Sequence, residues 1–471
     1  MIFLRLPSSS RSPTLVLLGF LLCAGSVSAR DFSVRTLSAP EGNARQPTIS
    51  ETGLVAWQGY TAHIGIAPLS VRPDVLSSDI GATVSDIYVW KDGEEIQNVT
   101  AGDERITGRS QQPTAVGDSV VFLAWFRDDA TGGYPFKLNV PQKNDEMKLL
   151  ESDYPDLFDP PQDALLTELN SVDTNALPEV AQAAETNALN DNKQVQMWRG
   201  SGKAGDVAVY RPGKGIERIT PGTRHFCSPV MSEAGIAFQC ARGWPYGYEM
   251  LAWRPEATNL VQISTNYFYA LNPDIHGNEL VFQAWDGNDY EIYLYRFDTG
   301  ILEQLTNNQF DDIAPVVWDG RVAWVAHPTV SAEIFYLTDG VIRKISEGTS
   351  DNAAPSIWND KVVWQGYDDT DLEIYYFNGR RTIKLTSNTW DDMTPSIRDS
   401  LIVWMSYVDN WDAEIMAFDL SDNIAVQLTN NEFEDAFPQT AAERIVWQTT
   451  GAEGTTIQLA EPEAPRQAPV D

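Results

Sequence analysis

Positive charge is what this chain has least of. Its 33 Lys and Arg face 66 Asp and Glu, a formal net charge of −33 over 471 residues. Such a surface repels nucleic acid and anionic lipid headgroups, which excludes the nucleic-acid-binding classes and leaves cations or basic partners favoured. Charge of one sign also serves solubility on its own. Histidine is scarce, with only His63, His225, His276 and His327, and no H-x-H or H-E-x-x-H spacing joins them into a zinc signature. Long apolar runs are absent beyond the N-terminus. There, Leu15 to Ala24 is too short to span a bilayer, and Arg5 and Arg11 precede it while Val27-Ser28-Ala29 follows it. Residues 1–29 therefore read as a secretory signal peptide. Cys23 follows Leu22 where lipidation would want a small residue, which disfavours a lipoprotein. Cleavage removes the two arginines and takes the charge from −33 to −35. The expectation is an exported protein without a transmembrane segment, in a bacterial periplasm or at the cell surface.

Cysteine is scarce as well. After cleavage only Cys227 and Cys240 remain, in a compartment that permits a disulfide. Aromatics are abundant, at 15 Trp, 17 Tyr and 18 Phe, so the acidity belongs to a packed globular chain and not to a disordered one.

What fills the chain is a motif returning about every 42 residues. Its clearest copies are QLTNNQFDDIAPVVWDGRVAW (304–324), KISEGTSDNAAPSIWNDKVVW (344–364) and KLTSNTWDDMTPSIRDSLIVW (384–404). Prolines recur at Pro229, Pro273, Pro315, Pro355, Pro395 and Pro438, each followed nine positions later by Phe238, Phe282, Trp324, Trp364, Trp404 or Trp447. Each unit holds four short β-branched and aromatic segments bounded by Gly, Asp or Asn, which is the pattern of a four-stranded antiparallel blade. The expected fold class is all-β, a β-propeller. Third strands are expected at 86–90, 206–210, 249–253, 291–295, 333–337, 373–377, 414–418 and 456–460, giving eight blades. The fourth strand ends in Thr or Ser in seven of them. The last blade has none of its own, and SVRTLS (33–38) from the mature N-terminus has the right shape to complete it. The propeller is thus expected over 30–460, with a partly helical insertion over 141–193 in the second blade and a disordered tail over 461–471. KQVQMW (193–198) resembles a further second strand, which would make nine blades.

The pattern LT-x-x-x-x-D-D-x-x-P-x-x-W followed by EIY-x-Y resembles the TolB-type (WD40-like, PD40-type) propeller repeats of secreted proteins, over nearly all of the mature chain. The small α/β domain that precedes the TolB propeller has no counterpart here, and the usual S-P-D-G turn is replaced by WDG, WND or IRD. The resemblance implies an exported propeller and no Tol–Pal role.

In a four-stranded antiparallel blade, the second-to-third loop lies on the same face as the connection to the next blade. Both carry acids. Before the prolines lie Asp311-Asp312, Asp351, Asp391-Asp392 and Glu434-Asp435; in the second-to-third loops D-x-x-D-x-E recurs as Asp286/Asp289/Glu291, Asp368/Asp371/Glu373 and Asp409/Asp412/Glu414. Three readings apply: turn capping by the carboxylates, a calcium site built from them, and a docking face for a basic or polar partner, protein or extracellular polysaccharide. No cofactor other than calcium is indicated. G-x-S-x-G is missing, which excludes the usual propeller-linked serine hydrolase, and GSGK (200–203) lacks phosphate-loop spacing. A carbohydrate hydrolase or lyase working in the funnel remains the alternative to a binding module. Finally, a tight turn at Glu233-Ala234 would put Cys227 directly opposite Cys240, suited to a disulfide.

Overall fold

The computed structural model describes residues 32–38, 43–60, 85–127, 136–137, 205–220, 225–241, 248–264, 269–347, 350–408 and 412–463. The expected signal peptide, the 141–193 insertion and KQVQMW (193–198) lie outside them. All regular structure among these residues is strand, and the strands fall into eight four-stranded antiparallel groups, here units one to eight in chain order. Units one and two are joined into one sheet by a parallel bridge between Ser85 and Arg109. Phe136–Lys137 adds a short parallel strand at the outer edge of unit three. All eight expected third strands lie within observed strands.

The eighth group is made from both ends of the described chain. Glu434–Ala441, Arg444–Gly451 and Gly454–Pro462 are completed by Phe32–Thr36, whose Phe32 pairs with Pro462 and Thr36 with Gln458. One bond shows that this strand is a true fourth strand. In seven units a Thr or Ser hydroxyl after the fourth strand accepts from a third-strand amide, as in Ile292 to Thr306 (2.8 Å) and Ile374 to Thr386 (2.8 Å). In unit eight the amide of Ile457 donates to Ser38 at 2.8 Å. Successive units touch through their first strands, and the first strand of unit one touches the first two strands of unit eight. This is the architecture of a β-propeller.

The inter-unit core is aromatic. Trp57, Trp253, Trp324, Trp364, Trp404 and Trp447 are fully buried, with Phe122, Phe238 and Phe282 in the second-strand positions that lack Trp. Their packing between neighbouring sheets is what each unit, with one exposed face, cannot supply alone.

Two local features explain the sequence pattern. The WDG, WND and IRD turns are two-residue hairpins with positive φ at Asp319 (45°), Asn359 (57°) and Asp399 (53°), matching the twist of the flanking strands. The prolines mark a bulge. The residue before each one has a left-handed backbone: Gln46, Gln112, Ser228, Asn272, Ala314, Ala354, Thr394 and Phe437, with φ between 48° and 57°. The ladder slips at each of these points, where a residue without an amide hydrogen is tolerated. Pro47 and Pro113, missed in the repeat, hold the same place in units one and two.

The bulge corrects the cysteine register. Val230 pairs with Ala237 as a tight turn requires, but beyond Ser228 the ladder has moved by one, so Phe226 faces Cys240 and Cys227 faces Gln239. The expected direct opposition of Cys227 and Cys240 is not found in the backbone.

Candidate functional site

The paired acids before the prolines have two different jobs. The second of each pair is buried and accepts from the tryptophan indole of its own unit. Trp324 donates to Asp312 (2.9 Å), Trp404 to Asp392 (3.0 Å) and Trp447 to Asp435 (3.0 Å). In unit six Asn352 takes the same bond from Trp364 (2.9 Å). The other oxygen of each Asp accepts from an asparagine amide four residues earlier: Asn308, Asn388 or Asn431. Burial raises the carboxyls of Asp312 and Asp435 and pushes Asp392 up to about 7.

The first of each pair reaches the third strand of the preceding unit. The Tyr290 amide donates to Asp311 (3.0 Å), that of Leu372 to Asp391 (2.9 Å) and that of Ala413 to Glu434 (3.4 Å). These bonds hold the second-to-third loops against the connections between units, so both acidic patterns share one face. Asp391 and Asp351 are exposed there. The pairs are therefore latches between strands and units, and capping accounts for them.

Glutamines act as further latches that the sequence reading passed over. Gln283 Oε1 accepts from the amide of Ala314 and Gln365 Oε1 from that of Thr394, both at 2.8 Å, fixing the left-handed bulge of the next unit. The signal was present as Gln directly after the second-strand aromatic.

The acid opening the third strand forms a series of its own. Its side chain faces one fourth-strand position, and the partner there changes from unit to unit. In unit two Arg218 pairs with Asp206 (2.7 Å), in unit three Gln262 donates to Glu249 (2.8 Å), and in unit five Lys344 pairs with Glu333 (3.0 Å). In unit six Lys384 bridges Asp368 (2.5 Å) and Glu373 (3.1 Å). Burial alone would raise Asp368, yet the Lys384 ammonium and the Thr370 donors hold it well below the usual carboxylate range.

Unit four has no cation there, nor has unit seven, where Gln427 pairs with Met416. The register pairs Tyr293 with Gln304 as it pairs Tyr375 with Lys384, so Gln304 stands where unit six has its lysine. Asp286, Asp289 and Glu291 place carboxylate oxygens within 4.8 Å of one another, as Asp368, Asp371 and Glu373 do. Asp286 caps its own loop, accepting from the amides of Asn288 (2.8 Å) and Asp289 (3.3 Å). Glu291 accepts from the Asn308 amide (2.6 Å) with one oxygen, while its Oε2 is buried without a hydrogen-bond partner. Asp289 is 5% exposed, and neither of its oxygens accepts a hydrogen bond, although Asn288 lies nearby. Burial raises Asp289, with the charges of Asp286 and Asp311 adding to it, and burial pushes Glu291 up to about 7.

In unit seven Glu414 accepts from the Asn431 amide (2.8 Å), and burial pushes it up to about 7. Asp412 belongs to the same loop, but Asp409 lies outside the described residues.

The two histidines whose side chains are described, His276 and His327, lie on opposite faces. His63 lies outside the described residues. His327 follows the second strand of unit five, its amide bonded to the Asp311 carbonyl (2.9 Å). His276 lies on the opposite face, stacked on Trp318 with ring centroids 3.8 Å apart. Arg398 of unit seven lies over the same Trp318 ring at 4.3 Å, so side chains from units four, five and seven converge at that end.

No protein-family model and no curated protein matches the chain. Among solved structures it is similar to the β-propeller domain of the Trilobed protease from Pyrococcus furiosus, at 10% identity over 76% of this chain and 99% of that one, with a TM-score of 0.46. A prolyl endopeptidase is similar at 9% identity over 87% of this chain, with a TM-score of 0.48, and this chain spans 54% of it. TolB from Acinetobacter baumannii is similar at 12% identity over 70% of this chain and 94% of that one, with a TM-score of 0.34. Likeness at this level is one of fold alone, and the propeller assignment rests on the strand order above. Among the described residues, no helix is long and apolar enough to cross a membrane.

Proposed function

We propose that this chain is an exported TolB-like propeller serving as a binding or scaffold module for a protein or extracellular polysaccharide, and that it docks its partner on the acidic face. The observation carrying this reading is the pairing of the two loop sets by Tyr290–Asp311 and Leu372–Asp391, which gathers acids from consecutive units on one rim. Such a rim steers basic or polar partners and fixes their orientation. The meeting of His276, Trp318 and Arg398 at the opposite end narrows that end and favours a binding module over an enzyme acting within an open funnel.

Site-specific photocrosslinking in the exporting cell tests this. A benzophenone side chain at exposed Asp351 or Asp391 should capture a partner, and one at exposed Asp319 or Asn359 on the other face should not. Capture from Asp319 and Asn359 alone, or depolymerisation of a polysaccharide by the purified protein, would overturn the reading.

A further inference from the structure

Among the described residues two clusters of three carboxylates stand in equivalent loops, and a cationic side chain enters only the one in unit six. At the same register position, unit two supplies a guanidinium and units five and six supply ammonium groups, whereas units three, four and seven supply the neutral Gln262, Gln304 and Gln427. Unit six, with the same D-x-x-D-x-E loop, shows one way of offsetting such a cluster. Lys384 enters between Asp368 and Glu373 and neutralises both. In unit four no cationic side chain enters among Asp286, Asp289 and Glu291, and the Gln304 Nε2 that could have donated is buried without a partner.

A buried carboxylate with neither oxygen hydrogen-bonded is costly, because its desolvation is uncompensated. Asp289 is in that state, and Glu291 Oε2 beside it is too. Both point into the same cluster, within 4.8 Å of Asp286. The donors are all carboxylate oxygens, with no histidine or thiol among them. That donor set suits a hard divalent ion and not zinc or copper.

We propose that Asp286, Asp289 and Glu291 bind a calcium ion in the place that the Lys384 ammonium takes in unit six. Three carboxylates supply part of the six to eight oxygens that calcium accepts, and backbone carbonyls or water supply the rest. The site is structural: it ties the second-to-third loop of unit four to the connection held by Asp311. It stands apart from the docking proposal, and either can fail without the other.

The test is calorimetric titration of calcium into chelator-treated mature protein, with melting followed in calcium and in chelator. One strong site is expected, with a melting temperature several degrees higher in calcium. Asp289→Ser should lose the heat and the shift. Gln304→Lys is the decisive variant, since it installs the unit-six solution. It should bind no calcium at this site while melting, in chelator, close to the calcium-loaded parent. Its own melting curve guards against loss of fold as the explanation. Absence of heat and shift in the parent, undiminished binding by Gln304→Lys, or a response to magnesium but not calcium would each overturn the assignment.

Discussion

Replacing Asp392 with asparagine should shift the stability relative to the parent in the variant's favour as pH rises from 5 to 8. Asp392 is 1% exposed and accepts from the Trp404 indole and from Asn388. Burial nevertheless pushes its carboxyl up to about 7, from an ordinary value of 3.8. A carboxyl held high in the folded state contributes stability below its ordinary range and loses it as pH rises through about 7. Ionising it in place costs at most about 4 kcal/mol. Unit six shows that an amide can take the indole bond, because Asn352 accepts from Trp364 at 2.9 Å, while the Asn388 amide that Asp392 Oδ2 accepts would lose its acceptor at a cost that does not vary with pH. The stability difference between Asp392→Asn and the parent should therefore change by roughly 2–3 kcal/mol between pH 5 and pH 8, in favour of the variant at the higher pH. Asp392→Ala is the control. It loses the same titration, so its difference from the parent should shift with pH by the same amount, but it strands the indole and should lie about 1–3 kcal/mol below the Asn variant at either pH. Denaturant unfolding at the two pH values gives both numbers. An Asn variant as damaged as the Ala variant, or a difference independent of pH, would refute the reasoning.

Three further outcomes follow from the same contacts. Trp324→Ala removes a fully buried inter-unit ring and should cost about 3–5 kcal/mol, read by denaturant unfolding. Ser38→Ala should cost about 1 kcal/mol by removing the Ile457 cap, and should lower hydrogen-exchange protection in Phe32–Thr36 first, because the closing strand depends on it. Thr394→Asn should raise the melting temperature. A β-branched residue at φ 49° is strained, whereas asparagine, which holds this place in unit four as Asn272, tolerates the left-handed region.

The fold was legible because it is periodic. The eight third strands, the tryptophan spacing and the shape of SVRTLS (33–38) are all visible without coordinates, and the Ser38 cap is the Thr/Ser rule continued across the chain ends. The bulges were not legible. A left-handed residue before proline has no fixed identity, being Gln, Ser, Asn, Ala, Thr or Phe here, and it moves the register by one, which defeated the argument from Cys227 and Cys240. Pro47 and Pro113 were missed because their units lack the Asp-Asp spacing that made the others visible. At the candidate site the repetition of acids was plain, but the division of labour within it was not. Asp311 and Asp312 are neighbours in sequence, yet one caps a strand of the preceding unit and the other holds a buried indole. The signal that separates unit four from unit six was nonetheless in the chain: Gln304 stands before Leu305-Thr306 where Lys384 stands before Leu385-Thr386.

That contrast also supplies the most direct test of how the acids are divided between latches and a cation site. Trp285 and Tyr290 flank the Asp286–Asp289 loop with ring centroids 5.5 Å apart, near enough to sensitise a lanthanide bound there. Terbium added to the chelator-treated protein should give green emission on excitation of these rings. The emission should be displaced by calcium, and it should vanish in Gln304→Lys while surviving in Asp392→Asn. Emission unchanged by Gln304→Lys, or abolished by Asp392→Asn in a protein that still melts cooperatively, would contradict the account.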